Sequence, residues 1–152
     1  MAQTVYIAPN ATIVGDVTLG ENVNIWYGAV LRGDSGAITV GAGTNIQDNC
    51  VLHENTCIGK NCTVGHGAIV HGCTIGDNCL IGMGAIILDG AVLQDNCLVG
   101  AGALVTGKTN AAAGSLLLGN PAKVVRPLTP AQIDANRESA AHYIGLAKKT
   151  FL

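Results

Sequence analysis

The sequence predicts an all-β solenoid, a left-handed parallel β-helix of hexapeptide repeats with a C-terminal α-helix. Three observations predict it. An aliphatic residue recurs every six positions through most of the 152 residues; 21 glycines stand beside only one Trp, three Tyr and one Phe; and the six-residue pattern stops before a stretch that reads as helix.

The aliphatic positions are Leu19, Ile25 and Leu31, then Val40, Ile46, Leu52, Ile58, Val64 and Val70, and again Ile75, Ile81, Ile87, Leu93, Val99 and Val105. A period of six with Gly, Asn and Asp between β-branched residues fits neither the helical period nor simple strand alternation; it is that of a hexapeptide β-helix. Two steps break the period. Leu31 to Val40 spans nine residues, which places a three-residue bulge within Arg32-Gly33-Asp34-Ser35-Gly36-Ala37, and Val70 to Ile75 spans five. Three hexads make one triangular coil, so residues eighteen apart stack at roughly the 4.8 Å strand spacing. The aliphatic of each hexad points into a narrow interior that bulky rings do not fit, and glycine serves corners that need open backbone angles.

The residue two before each aliphatic is small and also inward: Val17, Val23, Cys50, Cys62, Ala68, Cys73, Cys79, Ala85, Ala91, Cys97 and Ala103. Five of the six cysteines fall in this slot, with Cys57 the exception, and Cys62, Cys79 and Cys97 share one column. This makes them buried thiols acting as small hydrophobes, in preference to disulfides or metal ligands. Met1-Ala2-Gln3-Thr4-Val5 carries no apolar, positively charged leader, so reduced thiols and a cytoplasmic location are expected.

One domain is expected, with the prism over about 7–118, a turn and linker over 119–128 built on Gly119-Asn120-Pro121-Ala122, and a helix over 129–149. Thr129 is the N-cap and Pro130 lies in the first turn. Ile133, Tyr143, Ile144 and Ala147 supply its apolar stripe. A net charge of −2 and the lack of any dense Lys/Arg run argue against nucleic acid or a membrane as partner. The apolar run from Cys79 to Leu88 is too short for a span and is broken by Gly82 and Gly84. Charged residues make up 12% of the chain, low for a surface wholly in water, so part of the solenoid is expected to be buried against other subunits.

Counted through the two irregular steps, Arg32, His53 and His71 each follow an aliphatic and fall in one column. Asp48, His66 and Met83 form a second column at another corner, with Gln47 just before Asp48. Two histidines one rung apart can reach a single ion at about 2.0 to 2.1 Å. His66 cannot join them in the same chain, because the five residues to His71 trace about 16 Å around the prism. Three prisms about a three-fold axis, each setting its Arg32/His53/His71 column against a neighbour's Asp48/His66 column, would close three identical sites and oppose Arg32 to Asp48. A three-histidine zinc site keeps its fourth position open, as catalytic sites do. Its water ionises near pH 7, making hydroxide available to attack small electrophiles such as carbon dioxide.

The segments Leu31-Arg32-Gly33-Asp34, Asn45-Ile46-Gln47-Asp48-Asn49, Leu52-His53, Val64-Gly65-His66-Gly67-Ala68-Ile69-Val70-His71-Gly72-Cys73 and Gly119-Asn120-Pro121-Ala122-Lys123 resemble the gamma-class carbonic anhydrases and their close relatives. The resemblance runs from about Ile7 to the terminal helix. It implies a homotrimer that hydrates carbon dioxide reversibly to bicarbonate, with His53, His66 and His71 binding zinc, or iron or cobalt, at the subunit interface. It further implies that Gln47 orients the bound hydroxide or bicarbonate, that Arg32 and Asp48 pair between subunits, and that Asp34 holds the Arg32 loop. Asn45 would support the pocket rim, and Tyr143 would match a tyrosine reaching toward the metal.

Two departures bear on turnover. Ser35 stands where the best-characterised active members carry glutamate. His53 is followed directly by Glu54-Asn55-Thr56, without the acidic loop that carries the proton shuttle, and Glu54 is expected to be a solvated corner pointing away from the ligands. The alternatives are an acyltransferase or thioesterase acting on coenzyme A esters, and a metal-binding homologue with little hydration activity.

Overall fold

The computed structural model describes residues 4–151. Met1, Ala2 and Gln3, part of the segment read for a leader, lie outside the described residues. The chain is a left-handed parallel β-helix with a C-terminal helix. Most strands are two or three residues long, and each pairs in parallel with its equivalent one turn on. The six-residue period becomes three inward columns. Ile25, Ile46, Val64, Ile81, Val99 and Leu117 stack on one face, Leu31, Leu52, Val70, Ile87 and Val105 on the second, and Val40, Ile58, Ile75, Leu93 and Ala111 on the third. All are buried. Each fully buried aliphatic contributes roughly 1.5–3 kcal/mol, so the core is an even ladder with no single keystone.

The first face is an eight-stranded sheet, and a ten-stranded sheet wraps the other two faces because the strand Val30–Val40 runs unbroken around the corner between them. It pairs with Val51–His53 before the corner and with Thr56–Ile58 after it. The nine-residue step lies at this corner. Gly15 pairs with Gly33 and Val17 with Ile38, so Asp34, Ser35, Gly36 and Ala37 stand opposite Asp16 alone, three residues in excess. The five-residue step is there too, where Ile58 pairs with Ile75. Elsewhere corners are turned by glycine and by Asn22, Asn49, Asn61, Asn78 and Asn96, whose φ values of 55° to 62° lie in the left-handed region asparagine tolerates. Of the small inward residues, all are buried except Val17, which is partly exposed.

The segment expected as a turn and linker over 119–128 contains a strand. Ala122–Pro127 folds back through the Asn120–Pro121 turn and pairs antiparallel with Ser115–Gly119, because β-branched Val124 and Val125 find an open sheet edge there. The helix Pro130–Phe151 starts with a reciprocal capping box: Thr129 Oγ1 accepts from the Gln132 N–H at 3.2 Å, and Gln132 Oε1 accepts from the Thr129 N–H at 3.0 Å. Its buried face differs from the aliphatic stripe expected. Asn136, Ala140 and Ala147 are buried, with Ile133, Tyr143 and Ile144 at the margins. Asn136 Nδ2 donates to the Asn78 and Cys97 carbonyls at 3.1 and 3.3 Å, so the helix is fastened to peptide groups at a prism corner that an aliphatic would leave unpaired. Trp26 completes the attachment, with ring centroids 5.4 Å from Tyr143 and 5.0 Å from Phe151. Among the described residues no helix is long and apolar enough to cross a membrane.

Candidate metal centre

The register places Arg32 beside His53 and His53 beside His71, as the column count expects. Leu52 and Val70 point inward, so both imidazoles stand on the outer surface, half-buried. Nδ1 of His53 and Nε2 of His71 face each other at 3.0 Å. The outer nitrogen of each ring meets a carboxylate: His53 Nε2 lies 3.2 Å from Asp34 Oδ1, and His71 Nδ1 bonds Asp89 Oδ1. Asp34 also takes Arg32 at 2.8 Å, and that guanidinium holds its carboxyl down to about pKa 2 from the ordinary 3.8. Two imidazoles held by carboxylates on one nitrogen, with the other nitrogens converging, form a donor set suited to a divalent transition metal. Asp89 was missed in the sequence. It is eighteen residues past His71, but the five-residue step sets Leu88, not Asp89, directly in that column.

Glu54 overturns its expectation. Its Oε1 turns back to 4.0 Å from His71 Nε2, and one ligand atom each of His53, Glu54 and His71 lie within 4.8 Å of one another. The peptide groups of the corner, not the sequence neighbourhood, set this direction.

The second column is assembled separately. His66 Nδ1 is 2.9 Å from Asp48 Oδ1, and its side chain is 47% exposed, the most open of the three histidines. Buried Gln47 donates from Nε2 to Asn45 Oδ1 at 3.1 Å, and Asn45 donates to the Cys62 carbonyl and to Thr63 Oγ1. Thr63 meets Ser139 of the helix at 3.2 Å. Asn45 therefore anchors Gln47 from beneath, and Ser139, which sequence reading missed, ties that anchor to the helix. Gln47 and His66 line a pocket of about 260 Å³ with Leu80, Ile81, Met83 and Ser139. Tyr143 is half-buried nearby; desolvation and the charge of Asp48 push its phenol up. Within the chain Arg32 pairs with Asp34 and Asp48 with His66.

A model of the bacterial transferase hexapeptide family (six repeats) matches residues 2–33 and 72–107, and a model of the hexapeptide repeat of succinyl-transferase matches residues 54–89. The chain is 47% identical to a gamma carbonic anhydrase 2, mitochondrial, of Arabidopsis thaliana over 95% of its length, spanning 55% of that protein. It is also 47% identical to a probable carbonic anhydrase of Methanocaldococcus jannaschii, over 97% of the chain and 96% of the relative. The carnitine operon protein CaiE of Escherichia coli is 40% identical over 92% of the chain and 74% of its own length. Among solved structures, a hexapeptide transferase family protein from Anaplasma phagocytophilum superposes with TM-score 0.95 at 47% identity, covering 98% and 90% of the two chains. A protein described as an acetyltransferase from Bacillus cereus gives 0.93 at 37% identity, covering 97% and 88%.

Proposed function

The chain belongs to the gamma carbonic anhydrase family, and on that premise we propose that it is a metal-dependent enzyme hydrating carbon dioxide reversibly to bicarbonate at sites shared between subunits of a homotrimer. The convergence of His53 and His71 at 3.0 Å, each fixed by a carboxylate behind it, carries the reading. His66 of a neighbouring subunit supplies the third ligand in this reading. Its exposure, and its place on a different corner from the pair, support that division. So do the outward aliphatics Val30, Val51, Ile69, Ile86 and Leu104, which stack beside the histidine pair and suit burial against another chain.

Zinc, with iron(II) or cobalt(II) as the other candidates, would when bound acidify its water and supply hydroxide near pH 7. The residues around it do the rest. Asn45 occupies Gln47 Nε2, which leaves Gln47 Oε1 as the acceptor that orients the nucleophile's O–H. Arg32 pairs with Asp48 of the neighbour, and Asp34 holds His53. Leu80, Ile81 and Met83 give the pocket apolar walls that suit carbon dioxide. Tyr143, the match for the family tyrosine that reaches toward the metal, packs its ring edge-on against Trp26, and the pocket is lined without it. Six free thiols fit a reducing compartment such as the cytoplasm.

Metal analysis of the purified protein paired with a stopped-flow hydration assay tests the reading. Stoichiometric metal with hydration activity is expected, and in His66→Ala hydration should be lost while metal affinity falls. Mixing His66→Ala subunits with His53→Ala subunits should restore some sites. Failure of that complementation would overturn the shared site, and coenzyme A binding without hydration would establish the acyl-transfer alternative instead.

A further inference from the structure

The corner after His53 is built unlike the others. Two consecutive residues there, Glu54 and Asn55, take φ of 32° and 45°. Glutamate lacks the short polar side chain that lets asparagine tolerate this region, so the conformation persists only where its surroundings impose it. They do. Thr56, itself buried, donates from Oγ1 to the His53 and Glu54 carbonyls, both at 3.0 Å. The Gly72 N–H from the next rung points at the same two carbonyls at 3.1 and 3.0 Å and at Thr56 Oγ1 at 3.1 Å. The result is a carboxylate aimed inward across the histidine pair. Among the described residues no Lys or Arg forms an ion pair with it, and its side chain is 29% exposed where a solvated corner would extend into water.

We propose that Glu54 is itself a ligand of the metal, donated by the same chain that supplies His53 and His71. This rests on the metal-site reading above and extends it. One subunit alone then presents two imidazoles and a carboxylate, a set that holds a divalent cation before any neighbour contributes His66. The separations fit an arm that adjusts. The imidazole nitrogens, at 3.0 Å, are already near the roughly 3.3 Å edge of a tetrahedral site with bonds of about 2.0–2.1 Å, whereas Glu54 Oε1, at 4.0 Å, reaches that edge by a small side-chain rotation. With all three histidines in place, Glu54 would be a fourth protein ligand and the water of the hydration reading would take a fifth position, a coordination number zinc sites can reach. Glu54 would thus recruit the ion without closing the position that hydration uses.

Cobalt(II) is the probe, with affinity measured by competition against a chromophoric chelator and coordination by the visible absorption of the bound ion. Glu54→Gln should bind cobalt at least ten-fold more weakly, with a changed spectrum. Glu54→Gly should bind equally weakly while its melting temperature holds or rises, since glycine accepts the left-handed φ freely. In the His66→Ala background binding should persist, and adding Glu54→Gln should abolish it. Wild-type affinity and an unchanged spectrum in Glu54→Gln, with binding abolished by His53→Ala, would overturn the role of Glu54 and leave the metal site standing. Wild-type binding in His53→Ala would sink both.

Discussion

Two stacks of metal-ligand residue types run along this solenoid, and they differ in what surrounds them. His53 and His71 lie outside, at the corner where the hexad period is broken twice, with Asp34, Asp89 and Glu54 about them. Cys62, Cys79 and Cys97 lie inside, at a corner of regular rungs. There each thiol donates to a carbonyl: Cys62 to Gly76 at 3.0 Å, Cys79 to Gln94 at 3.2 Å and Cys97 to Ala112 at 3.4 Å. Each sulfur of the first two also accepts the N–H of the next cysteine at 3.4 Å. The column begins at Thr44, which accepts from the Cys62 N–H, and ends at Ser115. Stacking by itself therefore does not make a site. Carboxylates behind the donors and an open side in front do, whereas a donor whose partners are peptide groups is structural.

The largest effects should fall on the outer stack. His53→Ala or His71→Ala is expected to lower metal affinity at least 100-fold by chelator competition, while Cys79→Ala changes it not at all. A comparable loss in the cysteine variant would erase the distinction. One step down, Asp89→Asn should cost about 10–100-fold in affinity at an unchanged melting temperature, because the carboxylate fixes which His71 nitrogen is free. Gly72→Ala should act in the same direction and also destabilise. Its added Cβ would lie 2.8 Å from the Asp89 carboxylate at a φ of 61°.

Legibility followed the same line. The interior was readable because a period of six leaves each aliphatic one place to go; His53 and His71 stand a regular eighteen residues apart, and Arg32 joined their column once the nine-residue step was counted. Asp89 and the direction of Glu54 were not, since both depend on how the broken steps are absorbed at one corner, by φ values and peptide hydrogen bonds that spacing does not encode. The strand Ala122–Pro127 was hidden by the turn residues before it, and Asn136 by the assumption that a packed helix face is aliphatic. The cysteine slot was placed correctly, but four of its five thiols, those of Cys50, Cys62, Cys79 and Cys97, proved to be hydrogen-bond donors.

That last difference yields the next smaller effect. If the thiols matter as donors, Cys79→Ser should be milder than Cys79→Ala, since Thr44 and Ser115 already serve the same column with hydroxyls. Cys79→Ala strands the Gln94 carbonyl and the Cys97 N–H, at a cost of about 1–3 kcal/mol in chemical denaturation. If alanine is the milder change, the slot is apolar after all.

The smallest effect is one of pH. Burial pushes the Cys50 thiol up to about 11 and that of Cys73 up to about 12, from an ordinary 9.0, and hydrogen bonding to Cys62 leads the causes that raise Cys79 to about 12. A thiol whose pKa is raised in the folded state stabilises fully below its unfolded value and loses that contribution as pH climbs through the folded one. Stability should therefore be flat up to about pH 9 and decline progressively from there to pH 12, when followed by denaturant midpoint against pH. Cys62 opposes this trend, held below its ordinary value chiefly by its hydrogen bond with Cys79. At pH 8 an aromatic disulfide reagent should find one fast thiol, the exposed Cys57, and five that react only on unfolding. Rapid modification of three or more would show the inner stack to be open and chemically available, and the contrast with the histidine corner would fail.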